Sequence, residues 1–351
     1  MGTSDKEPNK RAVIGVLASF DSKDKNRALA DCFDELYKSD TNRLKSFHFL
    51  FTGGTFRRLL KGSHKSIPPE PPLLKSAAQQ VVLENSTCLP DRRDGGVTIM
   101  ANYLVNRQCS IIWAFFDPAE AHWLNPENLA LMRLCDVWRV KRLRNSGSLL
   151  EWFDTEADRD QMRNPQPVPP PLILADSTLA PRSIAGEKGP YELGFTEPDA
   201  YRPPTIALIA HDEMKPRMAE FAMQYEQELD KFDHILATGT TGREVGEAAP
   251  ALQHKIKRFH SGPKGGDIQI ATEILFARCD VIVFFLDPLR PHPHADDIRV
   301  VLAACMVENN VRILTNEVEA RDWMEEVVRR GHLPEALQRI RRANSPRRED
   351  N

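Results

Sequence analysis

Residues 265–288 read GGDIQIATEILFARCDVIVFFLDP, and residues 95–118 read GGVTIMANYLVNRQCSIIWAFFDP. Both stretches start with paired glycines, end in Asp-Pro and share further identities at one constant offset. In each, an apolar run precedes the Asp-Pro pair, as in VIVFFL at 281–286. Such a run is typical of a central parallel strand that is covered on both faces. The two stretches therefore predict the same α/β element twice.

Two more blocks extend this repeat upstream. FLFTGGTFRRL around Thr52 resembles ILATGTTGREV around Thr238, and VIGVLASFD at 13–21 resembles TIALIAHD at 205–212. Matching blocks in the same order indicate a duplicated domain. The stretch between the copies is rich in proline and glycine, which is typical of an extended linker. We predict a degenerate first copy at 11–155, a linker at 156–203 and a second copy at 204–343.

Strands and helices alternate along the second copy. Short apolar runs predict strands at 206–210, 234–237, 281–286 and 312–314. Apolar residues that recur every three or four positions predict helices at 218–232, 242–249, 296–309 and 318–329. This alternation predicts a doubly wound, Rossmann- or flavodoxin-like α/β domain with a parallel sheet, and the repeat predicts two such domains in tandem.

The composition is that of a soluble globular protein. The 351 residues are 41% hydrophobic and 28% charged, and the formal net charge of −3 does not favour nucleic acid or an anionic membrane as a partner. No run approaches the ~18 apolar residues of a membrane span, and the polar start lacks the apolar segment of a signal peptide. The six cysteines form no CxxC pair, which favours buried thiols in a cytoplasmic protein over a metal site.

Polar groups follow the predicted strands of the second copy at their carboxyl ends, where open α/β sheets bind ligands. They are His211, Asp212, Lys215, Thr238, Gly239, Thr240, Thr241, Ser261, Gly262, Asp267, Asp287, His294, Asp296 and Asp297. The TGTTG turn is compatible with a tight strand-to-helix connection. It is equally compatible with a phosphate cradle formed by close backbone approach, hydroxyls and a helix N-terminus. Taken alone, Asp267 fits a helix cap, and His294 fits a hydrogen-bonded surface group.

The convergence of these groups at one sheet edge favours a functional site. Lysine and hydroxyl groups suit a phosphate, whereas carboxylates repel one. Their combination is chemically reasonable where one carboxylate removes a proton from the bound substrate.

The quoted segments also resemble a known family. IALIAHDEMK, ILATGTTG, SGPKGGDIQ and FFLDPLRPHPHADD, in this order, are similar to bacterial methylglyoxal synthase across 204–330. The resemblance implies a carbon–oxygen lyase that converts dihydroxyacetone phosphate into methylglyoxal and phosphate, without a metal or organic cofactor. It also implies a homo-oligomer: the family forms hexamers of single domains, and a duplicated chain is expected to form the equivalent trimer.

The resemblance assigns roles to particular side chains. Asp267 matches the family's catalytic base, and His294 matches the donor to the carbonyl or enediolate oxygen. Asp297 matches a second acid in proton transfer, and Asp287 matches a carboxylate that shapes the site. The substrate and phosphate contacts match His211, Asp212, Lys215, Thr238, Gly239, Thr240, Thr241, Ser261 and Gly262. A C-terminal arginine of the family reaches a neighbouring subunit's phosphate, and the candidates here are Arg339, Arg341 and Arg342.

The first copy lacks this set of residues. Val97 stands where Asp267 is expected, and Phe56 replaces Gly242. We predict that the first copy is catalytically inactive and is retained either for the fold alone or as a weak anion site. Two alternatives to the simple lyase stay open: a non-catalytic sensor or scaffold for a phosphorylated metabolite, and a lyase whose first copy is a regulatory phosphate site.

Overall fold

The computed structural model describes residues 10–18, 23–62, 71–117, 124–157, 166–167, 203–287, 294–307 and 311–342. These residues divide into two compact units. The first unit comprises the described residues up to 167, and the second comprises those from 203 onward. Most of the predicted linker, residues 63–70 and both chain ends lie outside the described residues.

The first unit is built on a sheet with the strand order β3-β2-β1-β4-β5, in which every neighbouring pair is parallel. The strands are β1 (Lys10–Ala18), β2 (Phe47–Phe51), β3 (Ser86–Cys88), β4 (Ile111–Phe115) and β5 (Lys141–Leu143). A short strand from the predicted linker, β6 (Gln166–Pro167), pairs antiparallel with the start of β1. The helices are α1 (Lys23–Ser39), α2 (Thr41–Lys45), α3 (Gly53–Phe56, continued by wider turns at Arg57–Lys61), α4 (Ser76–Glu84), α5 (Gly96–Val105), α6 (Pro126–Trp138) and α7 (Ser146–Thr155).

The second unit repeats this architecture. Its sheet has the order β9-β8-β7-β10-β11, again with parallel neighbours throughout. The strands are β7 (Thr205–Ala210), β8 (His234–Ala237), β9 (Ile256–Arg258), β10 (Val281–Phe285) and β11 (Arg312–Leu314). The helices are α8 (Lys215–Gln224), α9 (Glu226–Leu229), α10 (Gly239–Ala248), α11 (Gly266–Leu275), α12 (Ala295–Val307), α13 (Glu317–Trp323, continued by wider turns at Met324–Arg329) and α14 (Leu333–Arg342).

The predicted fold class is confirmed, because two parallel sheets of the same strand order carry helices between successive strands. Four details of the second unit differ from the prediction. The helix after β8 begins at Gly239 rather than at Gly242, so the glycine-threonine turn is itself the first helical turn. The predicted helix at 218–232 is interrupted at Tyr225, and neither α14 nor the short strand β9 was predicted.

The core of the second unit lies between its sheet and the helices that cover one face. Apolar side chains of the strands, such as Ile206 and Val283, pack with Met218 and Phe221 of α8. All five residues of β10 are fully buried, as expected for a central strand. The sheet is therefore a rigid support for the groups that follow its strands.

An ion pair with a fully buried carboxylate attaches α14 to the amino-terminal side of β10. Asp280, immediately before β10, is 0% exposed, and Arg341 donates to both of its carboxylate oxygens at 2.9 Å. The same carboxylate accepts the N–H of Thr205 at 3.0 Å, which ties the start of β7 to the pair. One of the three candidate arginines is thus bound inside its own unit.

The cysteines are thiols, and five of the six are buried. Burial raises the pKa of the Cys109 thiol to about 12, so it is protonated at neutral pH. In the part of the chain that the structure describes, no helix has the length and apolar character needed to cross a membrane.

We expect His48 to make the stability of the first unit pH-dependent. Burial, with a smaller effect of Arg11, lowers the pKa of His48 in β2 from 6.5 to about 4. Between these values the unfolded chain binds the extra proton, so stability falls by up to about 3 kcal/mol as the pH drops from 6.5 to 4. Urea unfolding followed by tryptophan fluorescence should show this loss, and His48→Gln should reduce it. The exposed control His254→Gln should not, and equal pH profiles for all three proteins would contradict the assignment.

Candidate functional site

The carboxyl ends of the second unit's strands lie along one edge of its sheet, because all neighbouring strands are parallel. Each predicted site residue follows one of these ends or begins the next helix. The residues are His211, Asp212 and Lys215 after β7; Thr238, Gly239, Thr240 and Thr241 after β8; Ser261, Gly262 and Asp267 after β9; and Asp287, His294 and Asp297 after β10.

A carboxylate and an imidazole face each other across a glycine. Asp267, in the first turn of α11, has a side chain only 2% exposed, and its Oδ2 lies 3.5 Å from Nε2 of His294. A Cβ added at Gly262 would lie 2.9 Å from each of these two atoms. The glycine thus keeps open the space beside a proton acceptor and a potential hydrogen-bond donor.

Asp297 is completely buried in the first turn of α12. Its backbone N–H donates to the carbonyl of His294 at 3.0 Å, so this turn links the two residues. The first turn of a helix favours a carboxylate, because the unpaired N–H groups there carry partial positive charge. The first turn of α12 therefore fixes the backbone position of His294.

His211 is held by the neighbouring strand end. The backbone N–H of Asp287 donates to Nδ1 of His211 at 2.8 Å, and the imidazole packs edge-on against Phe284. Because Nδ1 accepts this bond, a neutral imidazole carries its proton on Nε2. The side chain is 6% exposed and joins the ends of β7 and β10.

The TGTT segment forms the first turn of α10. Thr238 Oγ1 donates to Thr241 Oγ1 at 3.1 Å, and the N–H of Gly239 donates to the carbonyl of His260 at 2.9 Å. The first N–H groups of a helix have no acceptor within it and favour an anion. A Cβ added at Gly239 would lie 3.0–3.3 Å from backbone atoms of Phe259, His260 and Ser261. This turn and the Ser261 loop are therefore in direct contact.

Lys215 supplies a cation near this edge. Its ammonium group, with a side chain 15% exposed, forms an ion pair with Asp212, whose side chain is 90% exposed. The hydrogen bond from Lys215 lowers the pKa of the Asp212 carboxyl. Lys215 is thus paired with an exposed carboxylate at this edge of the sheet.

In the first unit, the carboxylate of Asp91 lies beside the glycine turn that follows β2. Val97 is 1% exposed at the position of Asp267 and offers no acceptor. Asp91 stands at the position of Ser261, and Arg57 donates to both of its carboxylate oxygens at 2.5 Å. A Cβ at Gly53 would collide with Oδ1 of Asp91. The place beside this glycine turn is therefore held by a carboxylate that is already paired with Arg57.

Among the candidate C-terminal arginines, Arg341 is engaged by Asp280, whereas Arg339 is exposed on α14. The side chain of Arg342 lies outside the described residues. The pairing of Asp280 with Arg341 was missed from the sequence; the only signal was an acidic residue at the start of a wholly apolar strand. Within the described ranges, no three His, Cys, Asp or Glu side chains converge as the ligands of a metal ion would.

Fold and site define an α/β domain that places an anion-favouring helical turn beside a carboxylate–imidazole pair. The family model of the MGS-like domain matches residues 217–315. A methylglyoxal synthase of Clostridium beijerinckii is 42% identical over 111 residues, which are 32% of this chain and 89% of that protein. One from Burkholderia multivorans is 42% identical over 126 residues, 36% of this chain and 93% of that protein.

A solved structure, the methylglyoxal synthase of Elizabethkingia anophelis, is 32% identical and covers 36% of this chain and 79% of its own, with a TM-score of 0.32. Through its second unit, the chain belongs to the methylglyoxal synthase family. These relatives match about a third of the chain, so the similarity does not extend to the whole protein.

Proposed function

We propose that the chain is a methylglyoxal synthase whose second unit converts dihydroxyacetone phosphate into methylglyoxal and phosphate. The observation that carries the proposal is the pair of Asp267 and His294, 3.5 Å apart across Gly262 and next to the α10 turn. A protein that only binds phosphate has no need of a buried carboxylate beside the ligand, because that carboxylate weakens anion binding.

In the proposed complex, the phosphate group lies at the start of α10. The hydroxyls and N–H groups of Thr238, Thr240 and Thr241 and the backbone at Ser261 and Gly262 donate to it. Lys215 then exchanges its contact with the exposed Asp212 for a phosphate oxygen, and His211 and Asp287 line the pocket at the adjoining strand ends.

The reaction begins when Asp267 removes a proton from the carbon next to the substrate carbonyl. His294 donates to the oxygen on which negative charge develops, where a preorganised hydrogen bond lowers the barrier most. The electron pair of the enediolate then expels phosphate as the C–O bond breaks. Enolpyruvaldehyde leaves and tautomerises to methylglyoxal. Asp297, buried beneath His294, is proposed to assist the proton transfers.

The direct test is incubation of the purified full chain with dihydroxyacetone phosphate while phosphate and methylglyoxal are measured separately. The proposal requires equal amounts of both products. A folded protein that binds the substrate but releases neither product would instead favour the non-catalytic metabolite sensor or scaffold.

Gly262→Ala should damage the site without unfolding the unit. The new Cβ would lie 2.9 Å from Asp267 Oδ2 and from His294 Nε2, and the pair must separate to accommodate it. Displacements of about 1 Å at a reacting centre cost roughly 10²-fold in rate, so kcat/KM should fall by about that factor. Steady-state kinetics provide the measurement. The control is Gly246→Ala, where the nearest contact is 3.5 Å; equal kinetics of both variants would contradict the assigned geometry.

The first unit is proposed to be catalytically inactive and to bind no phosphate at its glycine turn. Since Asp91 and Arg57 occupy that region, Thr52→Val with Thr55→Val should leave inhibition by inorganic phosphate unchanged. Thr238→Val with Thr241→Val, the matched change in the second unit, should weaken it. A clear effect of the first pair would instead support a regulatory phosphate site there.

The remaining expectations on organisation are proposals as well. The domain boundaries at 155 and 204, descent by tandem duplication, a trimer of duplicated chains and a cytoplasmic location follow from the repeat and from the family resemblance. Light scattering of the purified chain tests the trimer, and a monomeric mass at assay concentration would overturn it.

A further inference from the structure

The loop that carries Ser261 and Gly262 is fastened by a side chain with no role in the proposed reaction. The backbone N–H of His260, just before this loop, donates to Oε1 of Gln269 at 2.9 Å. Gln269 is 7% exposed and lies on α11, two residues after Asp267. One hydrogen bond therefore joins the base of the loop to the helix that presents the proposed base.

The corresponding loop of the first unit follows the same path. Three backbone N–H to carbonyl hydrogen bonds recur in the two loops. Gly53 donates to Pro90 as Gly239 donates to His260, and Leu89 donates to Phe51 as Phe259 donates to Ala237. Gly96 donates to Asp91 as Gly266 donates to Ser261. Each loop ends with a glycine at positive φ, 82° at Gly95 and 95° at Gly265. The two loops thus share their backbone hydrogen bonds and their turn.

The fastening bond has no equivalent in the first unit, because both of its partners are replaced. Pro90 stands at the position of His260 and has no N–H, and Ile99 stands at the position of Gln269 and has no side-chain acceptor. Loss of the donor together with the acceptor avoids an unsatisfied polar group in a buried place. The unit that lacks the proposed base therefore also lacks this bond.

We infer that Gln269 is a positioning residue of the second unit: its side chain holds the Ser261–Gly262 loop in the geometry that binds the substrate's phosphate. This inference rests on the proposed function, because it assigns that loop to the phosphate. The loop of the first unit has the same backbone hydrogen bonds although Pro90 replaces His260. The bond to Gln269 is therefore not required for the backbone conformation of the loop. What it adds in the second unit is restraint of a loop whose N–H groups have to point at a ligand.

The test compares Gln269→Met, which keeps size and removes the acceptor, with the exposed control Gln253→Met. Isothermal calorimetry measures binding of inorganic phosphate, and steady-state kinetics measure KM and kcat for dihydroxyacetone phosphate. We expect about a tenfold rise in the phosphate Kd and in KM, the scale for a buried N–H left without an acceptor. The value of kcat should fall less than threefold, because Asp267 lies on α11 and His294 lies directly before α12, so neither belongs to the Ser261–Gly262 loop. Gln253→Met should match the wild type.

A double variant separates positioning from general stability. His260→Pro with Gln269→Ile installs the pair found in the first unit. Proline fixes φ at the base of the loop in place of the lost hydrogen bond, so the double variant should recover most of the phosphate affinity that each single change loses. This variant also serves if Gln269→Met does not fold. Wild-type phosphate affinity and KM in folded Gln269→Met would overturn the inference, as would a double variant no better than the singles. A wild-type chain without turnover would refute the proposed function alone, since the calorimetric comparison still tests the loop.

Discussion

Asp267→Asn is expected to lower kcat by about 10³–10⁴-fold while the protein stays folded and binds phosphate at least as tightly as before. General-base catalysis contributes about 10²–10⁴-fold, and an amide of the same shape cannot accept the substrate proton. The carboxylate is 2% exposed, and its Oδ2 lies 3.5 Å from Nε2 of His294. Removal of a negative charge beside the phosphate site should tighten anion binding.

The measurement is single-turnover and steady-state production of methylglyoxal, together with calorimetric binding of inorganic phosphate. Asp322→Asn, an identical change on the exposed face of α13, is the matched control and should have wild-type kinetics. If Asp267→Asn retained more than about a tenth of the wild-type kcat, Asp267 would not be the base, and Asp297 would become the candidate.

Arg341→Met is expected to destabilise the second unit by about 3–5 kcal/mol. The change leaves the carboxylate of Asp280, which is 0% exposed, without its cationic partner. An ionised carboxylate kept from water without a cation is among the most costly features a fold can contain. The same change removes the ion pair that joins α14 to the amino-terminal side of β10, although Leu333 and Leu337 still pack in the core.

Chemical denaturation followed by circular dichroism measures this effect. Arg339→Met, on the exposed face of the same helix, should change stability by less than about 0.5 kcal/mol. Asp280→Asn combined with Arg341→Met removes both charges and should be less destabilising than Arg341→Met alone. A stable Arg341→Met chain would mean that Arg341 is available for other contacts, including a neighbouring subunit's phosphate.

Strands β7, β8 and β10 of the second unit were predictable because they are short runs of mostly apolar, buried residues, whereas the exposed Lys257 and Arg258 of β9 gave no such pattern. Predicted strands at 206–210, 281–286 and 312–314 agree with the observed ones to within one residue. Helix ends were harder to predict. Glycine and threonine are ordinary turn residues, so the sequence placed the start of α10 three residues late, at Gly242. The amphipathic α14 follows a stretch already predicted as the final helix and was overlooked.

The candidate site was largely visible in the sequence, because parallel strands bring their carboxyl ends to one edge whatever the loops between them do. That rule groups Thr238, Asp267 and Asp287 without any knowledge of distances. It does not show which atoms face each other. The separation of Asp267 from His294 and the place of Gly262 between them depend on how α11 and α12 pack on the sheet.

The sequence by itself determined the repeated α/β architecture, the absence of the proposed base from the first copy, and the set of polar groups at the strand ends. These follow from local periodicity and residue identity, which need no distant contacts. Only the tertiary structure decided that Asp280 binds Arg341, that Asp91 lies at the glycine turn of the first unit, and that Gln269 fastens the Ser261 loop. Each of these is a contact between residues apart in the chain, and such contacts are set by how helices pack on the sheet rather than by the residues' own preferences.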